Sequence, residues 1–326
     1  MSVVDRRKAI LLTNNRLDAI KTFKLHRVEQ AFPIVLTNDA TAIWGTSAIR
    51  MTGEMTLAGR SVVTNAASVP YTMVPFAPGE SLHLTVRDRS YFEVRQNMLM
   101  LGENAGDRVT VDVYGLSDTD SVFACCSNKT GATDARVYLA GVGYKDGTAV
   151  VNVHSGYVRP GNYGWHLGTT YAVTSQVNTD RAYFPTGILN IDGGVVVACG
   201  YGHPYSGVPS GLIVGDGLWC KANPASHCTG LVNLSGGTLR TAPGISLIGA
   251  GCAEGHVVQT GGQFSHQDVI TAADEEKQKQ PDGSRVYHLP MVIGFMGGEG
   301  TYVLSNGTAT CDKKLYVGGC PTNQLE

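Results

Sequence analysis

Gly187 to Gly194 reads GILNIDGG, and Gly230 to Gly237 reads GLVNLSGG. The two octets agree in kind at every position: Gly, two apolar residues, Asn, an apolar residue, a small polar residue, then Gly-Gly. Looser copies stand at Gly255 to Gly262 (GHVVQTGG), Gly300 to Gly307 (GTYVLSNG) and Thr148 to Gly156 (TAVVNVHSG). A short unit that recurs in this way marks a repeat architecture. Within the copies the apolar residues alternate: Val151 and Val153, Leu189 and Ile191, Val232 and Leu234, Tyr302 and Leu304. Alternation places them on one face of a β-strand. One such strand buries nothing alone. Stacked copies set each apolar residue over its equivalent in the next, and the result is a continuous core.

Each octet is followed by a second signal, an apolar run that ends in glycine. These runs are Leu212 to Gly217 (LIVGDG), Ile245 to Gly251 (ISLIGAG), Met291 to Gly298 (MVIGFMGG) and Leu315 to Gly319 (LYVGG). Upstream relatives are Met98 to Gly102 (MLMLG) and Val137 to Gly143 (VYLAGVG). The unit therefore reads as strand, tight Gly turn, second strand, variable loop, third strand, Gly turn. Aligning the first strands on Leu84, Val111, Val151, Leu189, Val232, Val257 and Tyr302 gives steps of 27, 40, 38, 43, 25 and 45 residues. The shortest step suits three short strands and their corners. The longer steps carry insertions, which map to loops. The Gly pairs permit positive φ at a sharp corner. Asn190 and Asn233 fall at equivalent positions, either as a ladder of stacked amides or as an exposed pair.

The bulk composition agrees. Glycine makes up 41 of 326 residues, nearly twice the usual ~7%. Charged residues are 16%, against ~25% in an ordinary domain. A net charge of −2 carries no basic footprint, so nucleic acid is not an expected partner. No apolar run approaches the ~18 residues that span a bilayer, so membrane insertion is not expected. Ala9 to Leu12 is too short for a signal-peptide core, so the export signal is expected to be absent from this chain. The array breaks off in mid-unit, so further repeats are expected beyond Glu326. Residues 1–79 do not match the unit and read as an N-terminal cap or as degenerate coils, with residues 80–326 as the repeat array. Within the first part, Arg6 to Ile20 reads as a short helix, and Ala31 to Gly45 and Met55 to Asn65 read as strands. None of the eight cysteines has C-x-x-C spacing, which excludes a zinc ribbon. Cys220 and Cys228 bracket the loop KANPASH at a spacing that a disulfide would close; the others read as small buried hydrophobes.

The usual catalytic constellations are missing: no G-x-S-x-G elbow, no H-E-x-x-H, no P-loop. No cofactor is expected and no catalytic residue is assigned. A glycosidase needs two carboxyl groups about 5–9.5 Å apart. In the register above, Asp192 aligns with Ser235 and Ser305, and Asp112 aligns with Asn152, so no acidic pair emerges. Asp192 and Asp216 read as turn residues. The insertions collect aromatics. Tyr163, Trp165, Tyr201, Tyr205 and Trp219 are the candidate ligand-binding residues, because exposed rings offer apolar faces for sugars; the alternative is that they roof the core. His203, His227 and Cys228 are scattered, and no metal site is expected.

The octet with its following apolar-Gly run resembles the repeat shared by type V autotransporter passengers and PEP-CTERM-sorted bacterial exoproteins. The resemblance covers roughly residues 80–320 and is clearest in Gly187 to Gly251 and Gly300 to Gly319. It implies an all-β, right-handed parallel β-helix (a β-solenoid) that is secreted or displayed on a bacterial surface. It implies no catalytic residues. The long loops depart from the compact pattern and leave room for another β-solenoid group. The expected function is a non-enzymatic structural or adhesive domain, a rigid rod that presents loops to cell-surface glycans or associates with itself through its ends. A polysaccharide-acting lyase or glycosidase and a phage tail-fibre type receptor binder are the alternatives.

Overall fold

The structure is a computed structural model that describes residues 10–13, 22–25, 29–30, 33–44, 48–65, 71–75, 77–94, 99–102, 104–118, 120–125, 137–139, 146–159, 164–169, 182–198, 210–217, 225–241, 245–266, 290–312 and 314–318. Among these residues there are thirty strands and no helix. The seventh set of three shows the plan: β19 (Thr186–Ile191), β20 (Val195–Val197) and β21 (Ser210–Gly217). Each belongs to a different ten-stranded sheet, and its neighbours within that sheet lie three strands earlier and three strands later in the chain. The pairing is parallel throughout. We call three consecutive strands a rung and number the rungs one to ten. The fold is thus all-β, three parallel sheets that the chain visits in turn.

The register is the one the apolar alternation predicts. Leu84 pairs with Val111, then Val151, Leu189, Val232, Val257 and Tyr302, one residue per rung. The same line runs back through Met55 and Ile34 to Ile10. From Met55 to Val257 these side chains have no exposed surface. A one-residue slip would turn the whole row to solvent, so burial pins the register. Residues 10–74 therefore supply three further rungs in the same sheets. Ile10–Thr13 is a strand, where a helix was expected. It pairs in register with Ile34–Thr37, and that partner supplies ladder hydrogen bonds for which a lone helical turn has no equivalent. The rest of Arg6 to Ile20 lies outside the described residues.

One core draws on all three sheets. Phe92 and Phe123, consecutive in the second sheet, stack at 5.6 Å with an interplanar angle of 16°. Trp165 enters from the third sheet and is fully buried. Where glycines of the first and third sheets face each other there is no room for a side chain. A Cβ on Gly230 would lie 2.0 Å from the Gly215 amide nitrogen, and one on Gly255 would lie 2.1 Å from that of Gly249. The apolar-Gly runs thus mark close approach of two sheets as well as turns.

Every connection of ten or more residues borders the third sheet: 126–136, 170–185, 198–209, 218–227 and 267–290. The unit read from sequence has one variable loop, before the third strand. The structure has long connections on both sides of that strand. In rungs seven to ten the turns from the first to the second sheet stay short because they pack on the rung below: a Cβ on Gly193 would fall 2.1 Å from the His154 carbonyl oxygen. From rung six to rung eight the third sheet is buried on both faces. Its outward residues Ile213, Leu247 and Val292 form a second apolar cluster with Ile245, Ala250 and Phe295.

Cys228 is buried and is not in a disulfide, so the Cys220–Cys228 closure does not form. Cys252, in the one-residue connection between Ile245–Gly251 and Ala253–Gln259, is disulfide-bonded. Cys228 begins its strand with its side chain inward, which removes it from any loop chemistry.

Among the described residues the tenth rung has a neighbour on one side only, and Val303, Leu304, Leu315 and Val317 are about half exposed or more. Just beneath it the core turns polar. Gln259 Nε2 donates to the carbonyls of Gly262 (3.2 Å) and Thr308 (3.0 Å), and the Tyr302 hydroxyl donates to Gln259 Oε1. Burial pushes the Tyr302 phenol up to about 12. A phenol raised in the folded state holds its proton longer than in the unfolded chain. Its stabilising effect is therefore complete below pH ~10 and is lost as pH rises through about 12. The melting temperature of the wild type should fall more steeply between pH 10 and 12 than that of Tyr302→Phe; parallel curves would sever Tyr302 from that loss.

Candidate functional site

The first sheet turns alternate residues outward. In β16 (Gly147–Ser155) these are Thr148, Val150, Asn152 and His154. The next two rungs repeat the row as Thr186, Ile188, Asn190 and Asp192, then Thr229, Leu231, Asn233 and Ser235. Stacking places like groups about 4.8 Å apart, a spacing at which planar amides hydrogen-bond in line.

They do so here. Asn233 Nδ2 donates to Asn190 Oδ1 (2.8 Å), Asn190 Nδ2 to Asn152 Oδ1 (2.7 Å), and Asn152 Nδ2 to Asp112 Oδ1 (2.6 Å). Asp112 ends the chain as a carboxylate acceptor, and its Oδ2 hydrogen-bonds to His83 Nε2 at 2.6 Å. Of the two readings of Asn190 and Asn233, the ladder is the one that forms, and with Asn152, Asp112 and His83 it runs three rungs further than the Asn pair. Charge at the accepting end strengthens the series.

A second ladder runs alongside. Tyr114 stacks on His154, with ring centroids 4.4 Å apart and planes at 13°. His154 Nδ1 hydrogen-bonds to Asp192 Oδ2 at 2.8 Å. The Tyr114 phenol is raised, first by desolvation and then by the charges of Asp112 and Asp192. Tyr114 is 41% exposed and the Asp192 side chain 54%. This face presents carboxylate, phenol, imidazole and amide groups to solvent. Asn190→Ala would remove two hydrogen bonds of the ladder and leave Asn233 without its acceptor. The expected cost is about 1–2 kcal/mol, read as a lower urea midpoint with an unchanged slope; no change would mean the amides merely sit in line.

Can the two carboxylates do glycosidase chemistry? Asp112 belongs to rung five and Asp192 to rung seven, two residues further along the strand. Rung spacing and strand rise put their backbone positions about 12 Å apart. The pair in a glycosidase is closer, about 5–9.5 Å between carboxyl groups. Each is also engaged, Asp112 by His83 and Asn152, Asp192 by His154. Among the described residues no group of three His, Cys, Asp or Glu side chains is placed to hold a metal ion.

Of the aromatics singled out in the sequence, Trp165 has no exposed surface, and its indole Nε1 finds no hydrogen-bond partner among the described residues. A ring so placed offers a sugar no face; it fills the core. The reason is its position in Trp165–Thr169, where it pairs with Leu212 in the inward row of the third sheet. Tyr163, Tyr201, Tyr205 and Trp219 lie outside the described residues. His166, next to Trp165, is buried with Nδ1 2.7 Å from Asp216 Oδ2, and Thr169 Oγ1 donates to the same oxygen at 3.1 Å. Asp216, read as a turn residue, is thus a buried acceptor within a strand. His227 hydrogen-bonds to Glu254 at 2.9 Å.

His83, Tyr114 and His154 were missed. The signal for one pair was present: His154 follows Val153 as Asp192 follows Ile191, so the two sit at one offset on adjacent rungs. Comparison with family models, with curated proteins and with solved structures gives no match.

Proposed function

We propose that the chain is a right-handed parallel β-helix that serves as a rigid, non-enzymatic rod and binds surface glycans through the outer face of its first sheet. Right-handed crossovers between parallel strands are the strong rule, and three sheets visited in turn suit that winding. The observation that carries the functional reading is the unbroken side-chain ladder from His83 to Asn233. Its groups bond to their neighbours along the stack, which stiffens the face and leaves exposed polar edges at regular intervals. Hydroxyl-rich ligands match such edges. The Cys252 disulfide supports export, since disulfides persist in oxidising compartments.

The test is a glycan array run beside a reducing-sugar assay on the same polysaccharides. Binding without release of reducing ends is the expected result. Release of sugar from any polymer would contradict the non-enzymatic part, and a blank array with folded protein would contradict the binding part.

A further inference from the structure

The turns from the first to the second sheet hold a feature that the ladder does not use. Asn38, Asp39, Arg60, Asp88, Arg89 and Leu116 line a cleft of about 420 Å³. Leu116 lies two residues beyond Tyr114, so the cleft adjoins the ladder at rung five. Arg60 grips Asp39 with two contacts, Nη2 to Oδ2 and Nε to Oδ1, both 2.8 Å. Asp88 Oδ2 accepts from the Gly59 amide at 3.0 Å. Arg89 is exposed and has no hydrogen-bond or ion-pair partner among the described residues. Leu116 is 64% exposed and is the cleft's one apolar wall.

The backbone here is unlike that of the later rungs. In rungs six to ten the same turn rests on a glycine with positive φ: Gly156, Gly194, Gly237, Gly262 and Gly307. In rungs two to four non-glycine residues take it as well: Asn38, Asp39, Arg60 and Asp88 have φ of 54°, 63°, 67° and 64°, with Gly59 (59°) beside Arg60. Glycine adopts that conformation with no steric penalty and arginine does not. Asn38, Asp39, Arg60 and Asp88 thus put side chains at left-handed positions that glycine fills in rungs six to ten, and these side chains line the cleft.

We propose that this cleft binds the carboxylate-bearing unit of an acidic saccharide, an assignment that rests on the glycan-binding reading of the adjoining face. The Arg89 guanidinium takes the carboxylate through two parallel N–H···O bonds, the geometry in which arginine excels. Asp39 and Asp88 accept from ring hydroxyls, and Leu116 packs on the C–H face of the ring. The volume is in the range of small-ligand sites, while the lining is far more polar than a site for an apolar ligand.

The experiment is titration calorimetry with galacturonate, glucuronate and sialic-acid oligosaccharides, each beside its uncharged counterpart. At least one acidic ligand should bind the wild type more tightly than its neutral partner. Arg89→Ala should weaken that ligand about tenfold or more with an unchanged circular dichroism spectrum, since the exposed Arg89 makes no hydrogen bond or ion pair among the described residues. Arg89→Lys should recover part of the affinity, keeping charge but losing the fork. Equal affinity of Arg89→Ala and wild type for every acidic ligand overturns the proposal. If neutral glycans bind wild type and Arg89→Ala alike and no acidic ligand is preferred, the cleft assignment fails and the glycan reading stands. If nothing binds, both fail.

Discussion

Gly255→Val is expected to destabilise the protein by about 3 kcal/mol or more, among the largest effects any single change here would have. The first Cβ atom already falls 2.0 Å from the Val214 carbonyl oxygen and 2.1 Å from the Gly249 nitrogen. Both are backbone atoms of the facing sheet, and neither can rotate away. Interiors this close-packed transmit strain and do not absorb it. The first and third sheets would have to separate at rungs seven to nine, which opens the core to water. Urea unfolding would show the loss as a lower midpoint. A substitution tolerated within about 0.5 kcal/mol would mean that the two sheets do not approach as described.

Trp165→Ala carries a comparable effect for the opposite reason, a hole in place of a clash. A fully buried tryptophan replaced by alanine costs about 3–5 kcal/mol, part transfer and part cavity. The ring is among the largest fully buried side chains and belongs to the core of the three sheets. Thermal unfolding should register the loss, while glycan binding per folded molecule stays the same. Loss of binding with little loss of stability would return Trp165 to the surface role that its aromatic-rich neighbourhood first suggested.

Much of the fold was legible because a parallel stack repeats its chemistry. Seven residues from Leu84 to Tyr302 were enough to set the register of the first sheet, since alternation has a period of two and leaves two choices of face. The glycines of the octets were legible as turns for the same reason. The first three rungs were legible only as strands in a cap or degenerate coils, because Ile34–Thr37 and Gly53–Leu57 lack the octet and carry charged or polar turns where later rungs have Gly-Gly. Those turns are also where the cleft lies, so the departure from the repeat was itself the signal. The dual role of glycine was hidden: nothing in ISLIGAG distinguishes a corner from a point where two backbones touch.

The candidate site was legible in part. Asn190 and Asn233 announced a ladder, and Asp112 over Asn152 extended it. What escaped was the reach of side chains between neighbouring rows. His83 pairs in the backbone with Thr110, yet its ring meets Asp112 two residues further on. Diagonal contacts of that kind follow from rotamers, which a column of aligned letters does not carry. Trp165 misled because an aromatic beside a long insertion reads as a loop residue, while the two-residue period of its own strand sends it inward.

The account stands or falls on axial stacking at one strand spacing per rung. Thr85 and Val303 occupy the ladder row at rungs four and ten, six spacings apart. Spin labels attached through bio-orthogonal side chains at these two positions should give, by double electron–electron resonance, a single peak at about 29 Å. A featureless distribution, or one centred beyond about 40 Å, would contradict the stack and with it the ladder, the cleft and the function built on them.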